Sequence, residues 1–251
     1  MSAPVKPALL LAGLAWLALE PAALANPPKR VAAFKRLPDW TGIWLSDAEH
    51  PDAGGQYVDV TPFTLAFGKP PYKAEWAERL QARRKLEMQG EAKGCDMAFP
   101  TVMQSPQPFE LTVTPEETLL TAGDFAIRHI YTDGRKHPPE DELDPSRMGD
   151  SVGRWEGEVL VVDTVGQRGG PAGFGPLSYS EALHVTERIR KTGRNTLEDQ
   201  IVIEDPVAFT QPWRLTLTYS RATFLKSLPA YECDRNDRIQ IIDGKGRIAP
   251  P

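Results

Sequence analysis

The sequence predicts a mainly β protein, an antiparallel barrel of about eight to ten strands with one helix. Apolar and polar residues alternate with period two through most of the chain after residue 108. Glycine-, asparagine- and aspartate-containing turn signals separate the alternating segments. Only residues 70–88 combine length with helical character, so we expect a single helix there.

Each predicted element has its own signal in the sequence. The helix has Pro70 and Pro71 at its start, where a missing backbone N–H costs little, and a Glu75–Arg79 pair one turn apart. The other segments alternate or are continuously apolar, as strands do. The expected strands are 40–45, 109–114, 118–121, 125–132, 151–155, 159–164, 183–191, 196–204 and 213–221, with short ones possible at 57–60 and 239–242.

The N-terminal segment has the three parts of a secretory signal peptide. Lys6 gives a positive start, residues 8–19 form an apolar run too short to cross a bilayer, and Ala23-Leu24-Ala25 is a cleavage pattern. We therefore expect cleavage after Ala25 and a periplasmic or secreted protein; an uncleaved membrane anchor is the alternative. Residues 26–39 are expected to be an extended lead-in, and residues 40–251 a single barrel domain.

The net charge bears on which partners the protein can bind, and the cysteine content bears on disulfide formation. The formal net charge is −5, which gives no general attraction to nucleic acid or anionic lipid, so neither nucleic acid binding nor stable membrane insertion is expected. Cys95 and Cys233 are the only cysteines. In an oxidising compartment such a pair is expected to form a disulfide. Two free thiols, or a metal site without the usual CxxC spacing, are the alternatives.

The segment LHVTERI, residues 183–189, places one acidic residue on an apolar strand face. Glu187 shares that face with aliphatic side chains, and a carboxylate there is costly unless it is paired, hydrogen-bonded or protonated. Glu187 is therefore either a working acid or base, or a structural partner of Arg128, Arg188 or Arg214.

Further polar residues fall on the faces that are predicted to be apolar. His129 and Tyr131 alternate with Phe125 and Ile127, and Asp163 lies in a strand that is apolar on both faces. A mostly apolar cavity with a few convergent polar groups is the usual form of a small-molecule site. The predicted catalytic residues are Glu187, His129, Tyr131 and Asp163. The opposite strand register would instead expose His129.

Three long connections, 133–150, 165–182 and 205–212, alternate with tight turns along the sequence. In an up-and-down meander they would gather at one end and form the mouth of the barrel. The predicted substrate-binding residues are His137, Tyr179, His184, Trp213 and Trp155, although both tryptophans could serve packing instead. His137, His184 and Asp163 could alternatively bind a metal, but widely spaced histidines are usually not ligands, so no metal is expected.

Two resemblances bear on the fold. Gly42-Ile43-Trp44 resembles the G-x-W signature of lipocalins and related calycin barrels, which implies a tryptophan closing the barrel bottom under a basic residue. The segments DWTGIW, IYTDGRKHP, GRWEGEVLVVDT, LHVTERIR and TLEDQIVIEDP resemble a large, mostly uncharacterised family of secreted bacterial proteins. That resemblance also implies a lipocalin-like barrel. In the family a histidine often precedes LHVTER, where this chain has Ser178-Tyr179-Ser180.

These observations predict an enzyme that works without a cofactor by proton transfer. It would be a lyase, isomerase or cyclase acting on a small apolar molecule, aromatic or terpenoid in character. No GxSxG, HExxH, P-loop or GxGxxG motif points to another chemistry. One alternative is a lipocalin-like carrier of a hydrophobic ligand, and another is an interaction module that uses the glycine-rich loop 165–179.

Overall fold

The fold was obtained as a computed structural model of the chain. It describes residues 27–46, 58–59, 70–88, 98–104, 108–122, 126–171, 177–229, 239–242 and 245–248. The predicted signal peptide, Cys95 and Cys233 lie outside these residues, and so does the disulfide expected between the two cysteines. No helix in the described part of the chain is long and apolar enough to span a membrane.

The chain forms a closed barrel of nine strands, which confirms the predicted mainly β, lipocalin-like fold. The strand order around the barrel is β1-β12-β11-β10-β7-β6-β5-β4-β3 once the strands are numbered along the chain. The elements are α1 (Pro27–Phe34), β1 (Gly42–Ser46), β2 (Val58–Asp59), α2 (Ala74–Met88), a 3-10 turn (Thr101–Gln104), β3 (Phe109–Val113), β4 (Glu117–Ala122), β5 (Ala126–Tyr131), β6 (Asp150–Glu156), β7 (Val159–Val165), β8 (Gly170–Pro171), β9 (Ser178–Tyr179), β10 (His184–Gly193), β11 (Thr196–Glu204), β12 (Trp213–Arg221), β13 (Ile239–Ile242) and β14 (Lys245–Ile248).

The two helices match the sequence prediction unequally. Helix α2 lies within the predicted range 70–88. Helix α1 occupies part of the lead-in that was expected to be extended. Its prolines, Pro27 and Pro28, stand in the first turn, where the ring is compatible with helical backbone and no N–H is missed. The prolines at residues 27 and 28 thus begin a helix rather than an extended segment.

One strand pair differs from the predicted antiparallel meander. Strands β5 and β6 are parallel, with Ile130 opposite Ser151 and Tyr131 opposite Val152, whereas the other neighbouring barrel strands are antiparallel. Because Tyr131 lies opposite Val152, near the start of β6, residues 132–149 leave and rejoin the barrel near the same end. Connections 166–183 and 205–212 share one end, named here the loop end, and the β6–β7 and β10–β11 turns share the other, the turn end.

A tryptophan and an arginine close the turn end. Trp44 is fully buried, and its indole N–H donates to the carbonyl of Trp40 at 3.0 Å. The guanidinium of Arg221 covers Trp44, 4.7 Å from the ring centroid, and donates to the carbonyl of Asp39. This is the arrangement that the G-x-W resemblance implies. Trp155, expected to bind substrate, packs edge-to-face against Trp40 at 5.0 Å.

Residues 98–104, named here the plug segment, fill part of the barrel interior. Phe99, Val102 and Met103 are buried in the same core as the inward side chains of the strands. The Phe99 ring lies 3.6 Å from the guanidinium carbon of Arg128. The hydroxyl of Tyr219 donates to the carbonyl of Met103 at 3.0 Å. The plug segment thus occupies part of the barrel interior among the described residues.

Candidate functional site

Glu187 is a partner in a buried ion pair. Its carboxylate accepts two hydrogen bonds from the Arg128 guanidinium, at 2.9 and 2.5 Å, and both side chains are fully buried. Arg128 also donates to Thr164 at 2.9 Å and to Ser151 at 3.2 Å. Of the two sequence-based interpretations, the structural ion pair with Arg128 is the one that the structure contains.

The other predicted catalytic residues lie on the opposite side of the barrel wall. Arg128 and its alternating neighbours point inward on β5, so His129 points outward. His129 contacts the Glu117 carboxylate at 2.9 Å and stacks on Tyr131, with ring centroids 5.8 Å apart. Choosing the inner face by counting apolar residues was wrong for β5, because an arginine neutralised by Glu187 can face the core. The predicted site that joined Glu187 to His129 and Tyr131 is not formed.

Asp199 is a buried carboxyl that the sequence-based site did not include. It lies on the inner face of β11 and is fully buried; no N–H or hydroxyl group donates to its oxygens, and it lies within hydrogen-bonding reach of the Glu187 carboxylate. Burial raises its pKa well above the usual 3.8, and the nearby Glu187 carboxylate raises it further. The alternation that singled out Glu187 also places Asp199 between Leu197 and Ile201, so the same signal could have found it.

A line of alternating carboxylates and imidazoles crosses the outer face of the barrel near the loop end. The members of this histidine–carboxylate chain are, in order, Asp150, His137, Asp163, His184 and Glu204. Its successive contacts are 2.5 Å, 3.0 Å, 2.9 Å and 3.5 Å between nitrogen and oxygen atoms. The side chains of Asp163 and His184 are each 38 % exposed, so a molecule in solution can reach them.

Five different segments supply the chain. Asp163 points outward from β7, between the buried Val162 and Thr164. His184 and Glu204 lie directly opposite each other at the ends of β10 and β11. His137 reaches the same place because the connection 132–149 leads to Asp150, the first residue of β6, which His137 contacts.

Hydrogen bonding sets the charge of the central pair. The hydrogen bond with His184 lowers the pKa of Asp163 below 3.8, against a smaller opposing effect of burial. The same hydrogen bond raises the pKa of His184 above 6.5. His137 faces a carboxylate with each ring nitrogen, and it can donate to both only as an imidazolium. The lowered pKa of Asp163 and the raised pKa of His184 favour an ionised carboxylate beside a protonated imidazole at this central pair.

The three residues of the alternative metal site lie close together, but the structure does not support metal binding by them. His137, Asp163 and His184 do meet, as a hydrogen-bonded series. Among the described residues, no group of three or more histidine, cysteine or acidic side chains is arranged to hold a metal ion.

Two predicted substrate-binding residues pack inside the loop end. Tyr179 is buried against Phe209, with ring centroids 6.1 Å apart. Asp205 ties the two loops together, because it accepts hydrogen bonds from the backbone and the hydroxyl of Ser180, both at 2.7 Å. Trp213 also packs on Phe209, at 6.2 Å.

A surface hollow lies beside Trp213, at the loop end. Its volume is about 440 Å³, and Trp213 and Arg214 line it with Pro71, Gln211 and Pro212. Trp213, a predicted substrate contact, thus lies at the wall of an open space.

Comparison with known proteins adds no name to this site: no protein-family profile matches the chain, and no curated protein is significantly similar to it.

Proposed function

We propose that this protein is an enzyme that transfers protons at the histidine–carboxylate chain, in a lyase, isomerase or cyclase reaction on a small molecule. One observation carries the proposal. The two oxygens of Asp163 contact the Nε2 atoms of His137 and His184 at 3.0 and 2.9 Å, on a face open to solvent. An imidazole oriented by a carboxylate is a common form of general acid or base.

His184 is the residue that exchanges a proton with the substrate. Its Nε2 is held by Asp163, while its Nδ1 faces Glu204 at 3.5 Å, too far for a strong hydrogen bond. A substrate atom can therefore take the place of Glu204 at Nδ1. Asp163 stabilises the imidazolium, His137 holds the second oxygen of Asp163, and Asp150 holds His137.

The chemistry needs only these side chains. Above its raised pKa, His184 is neutral; in an isomerisation it then takes a proton from carbon and returns it to another atom of the same molecule. In an elimination, it takes the proton while the electron pair of the C–H bond forms a double bond and the leaving group departs with its own pair. The Asp163 carboxylate makes the charged intermediate state of His184 less costly.

The resemblance to secreted bacterial proteins supports the same residues. IYTDGRKHP contains His137, GRWEGEVLVVDT contains Asp163, and LHVTERIR contains His184. Segments distant in sequence thus contribute one residue each to one surface. A secreted or periplasmic location and a small aromatic or terpenoid substrate remain part of the proposal.

A second candidate function is that of a carrier, and the hollow beside Trp213 favours it. An aromatic wall and the Arg214 cation can hold a small ligand without any chemistry. The carrier would use this outer hollow.

The test compares three substitutions on the outer face. The wild type and the variants His184→Gln, Asp163→Asn and Arg190→Gln are incubated with a panel of aromatic and terpenoid compounds, and products are detected by mass spectrometry. We expect His184→Gln to lower turnover by roughly 10²–10⁴-fold, the usual contribution of a general acid or base. Arg190 pairs with Glu198 on the same outer face of the barrel, away from the histidine–carboxylate chain, so it should tolerate replacement.

The outcomes separate the two candidates. Turnover that is equal in His184→Gln and the wild type would exclude the proposed role. Ligand binding that quenches tryptophan fluorescence without any product, and that is lost in Arg214→Gln, would favour the carrier.

A further inference from the structure

We propose that the histidine–carboxylate chain and the hollow beside Trp213 form one substrate site, in which the Arg214 guanidinium binds a carboxylate of the substrate and the apolar remainder lies across the outer wall towards His184. The substrate is thus a carboxylate-bearing member of the aromatic or terpenoid class. The proposal rests on the proposed function and names the chemical group that the site recognises.

Arg214 is a cation without a counterion in the part of the chain that the structure describes. It is exposed on β12, and no described residue forms an ion pair or a hydrogen bond with its side chain. Two arginines on the outer face of β10 are paired instead, since Arg188 donates to Glu156 at 3.0 Å and Arg190 donates to Glu198 at 2.8 Å. A guanidinium matches the two oxygens of a carboxylate with parallel N–H donors. Arg214 is therefore available to an anionic ligand.

The strand pairing places Arg214 in the same outer row as part of the histidine–carboxylate chain. Asp163 of β7 lies opposite Thr186 of β10. Val202 of β11 stands between Thr186 and Arg214, opposite each of them. Directly paired residues point to the same face of a sheet, so this row faces outward as a whole. His184 precedes Thr186 by two residues and faces the same way.

The separation of Arg214 from His184 suits a small molecule. Strands lie about 4.8 Å apart and a residue rises about 3.3 Å along a strand, so the two backbone positions are roughly 12 Å apart. Both side chains can extend over part of this interval. The half-buried Thr186 and Val202 form its floor. Their methyl groups favour an apolar body between a carboxylate at one end and a reacting carbon at the other.

The hollow gives the carboxylate end a concave wall. Its volume of about 440 Å³ lies within the range of small-molecule sites, and Trp213 and Arg214 belong to its lining. Trp213 pairs with Ile203, the residue before Glu204, and Glu204 lies opposite His184. The hollow and the His184 imidazole therefore share the loop end of the barrel, one strand apart.

Charge favours a single carboxylate over other ligand groups. The histidine–carboxylate chain contains three carboxylates and two imidazoles, so this surface repels a doubly charged group such as a phosphate monoester. One carboxylate matches the one guanidinium of Arg214 and leaves the apolar part of the ligand free to approach His184. A neutral ligand would gain nothing from the Arg214 charge.

The experiment compares 3-phenylpropionate with its neutral amide, 3-phenylpropanamide. Binding to the full protein is measured by calorimetry and by quenching of tryptophan fluorescence. We expect the acid to bind roughly three- to tenfold more tightly than the amide, the size of one exposed charge-assisted contact. This preference should weaken as the ionic strength rises from about 0.02 M to about 0.5 M. Arg214→Gln should abolish it, whereas Arg190→Gln, which removes the same charge elsewhere on the outer face, should keep it.

NMR of the imidazole signals tests whether the bound molecule reaches His184. The acid should shift the His184 resonances, which His184→Gln identifies, while acetate, too short to extend from Arg214 to His184, should leave them nearly unchanged. The proposal is overturned if the acid does not bind at up to roughly 10 mM, if the amide binds equally well, if Arg190→Gln and Arg214→Gln lower the preference equally, or if the His184 resonances do not move.

His184→Gln separates this proposal from the proposed function. The variant should keep the preference for the acid while it loses turnover. Full turnover in this variant would refute the catalytic role of His184, whereas the acid preference is read from binding alone. The comparison of acid with amide, and its salt dependence, use the wild type, so they decide the matter even if a variant does not fold.

Discussion

Two carboxyl groups, Glu187 and Asp199, meet nearly the same buried surroundings and differ in their partners. Glu187 has the Arg128 guanidinium as its counterion, while Asp199 makes no ion pair and lies beside the Glu187 carboxylate. Removing a carboxylate from water costs several kcal/mol, so a buried acid must find a counterion or keep its proton. Glu187 pairs with a counterion, and Asp199 keeps its proton. Glu187 is therefore a structural residue.

The first prediction concerns stability. Glu187→Gln leaves the Arg128 charge buried without a counterion, so we expect a loss of about 3–5 kcal/mol in the free energy of unfolding, measured by urea denaturation. The sequence-based hypothesis expected the same substitution to abolish turnover and spare the fold. The double variant Arg128→Met, Glu187→Met should recover much of the loss, and a single variant as stable as wild type would contradict the ion-pair interpretation.

The second prediction concerns pH and Asp199. Its pKa is raised in the folded state, so folding keeps a proton that the unfolded chain releases above its usual pKa of about 3.9. The burial of Asp199 therefore costs little at low pH, and the cost grows as pH rises from about 4 towards the folded pKa. Asp199→Asn removes this dependence.

Urea denaturation of wild type and Asp199→Asn at several pH values tests it. The difference in unfolding free energy, variant minus wild type, should increase with pH above about 4. Because both proteins share all other titrating groups, a difference that stays constant between pH 4 and 8 would mean that Asp199 ionises normally.

At the scale of strands, alternation predicted most faces correctly and failed where a charge faces inward. The inner faces of β10, β11 and β12 are those predicted, with Glu187 and Asp199 among their members. On β5 the predicted inner and outer faces are exchanged. Arg128 faces inward there because Glu187, far away in sequence, stabilises its charge. The sequence of β7 is apolar on both faces and could not assign Asp163 to either one. Only the folded barrel shows that its side chain points outward.

The sequence predicted some members of the histidine–carboxylate chain but not how they are arranged. His137, Asp163 and His184 were singled out, and their possible association as ligands was stated. Their actual arrangement depends on the parallel pairing of β5 with β6, which brings the connection 132–149 to Asp150. Strand direction is a property of the whole sheet, and no local pattern in these segments encodes it. The predicted gathering of the three long loops does occur: Ser146 of the connection 132–149 hydrogen-bonds with Gly166 and Arg168, at the end where Ser180 also contacts Asp205.

The third prediction concerns the closure of the turn end by β1. Gly42 has φ of +138°, and a Cβ there would lie 2.7 Å from a guanidinium nitrogen of Arg221. Gly42→Ala combines backbone strain with displacement of Arg221 from Trp44, and we expect a loss of about 1–3 kcal/mol by thermal or urea unfolding. Gly157→Ala is the control, since its φ is also positive but open space surrounds it. Equal losses would show that Arg221 plays no part.

At the scale of the molecule, the barrel has one seam. Strands β10 and β11 pair along nearly their whole length, whereas β5 and β6 pair only around Ile130 and Tyr131. Arg128 strengthens this seam from inside, because it reaches from β5 to Ser151 on β6, Thr164 on β7 and Glu187 on β10. The ion pair thus replaces some of the backbone hydrogen bonding that the parallel pair lacks.

The seam should be where the barrel opens first. Short, parallel pairing gives less protection than a long antiparallel ladder, so amides around residues 130–131 and 151–152 should exchange with deuterium before those in the centres of β10 and β11. Ser151→Ala removes the hydrogen bond at 3.2 Å from Arg128 and should speed exchange at the seam selectively. Thr218→Ala, on the outward face of β12, is the control and should leave the seam unchanged. Simultaneous exchange of all barrel strands would instead mean that the side chains around Arg128 make the seam as stable as the rest of the wall.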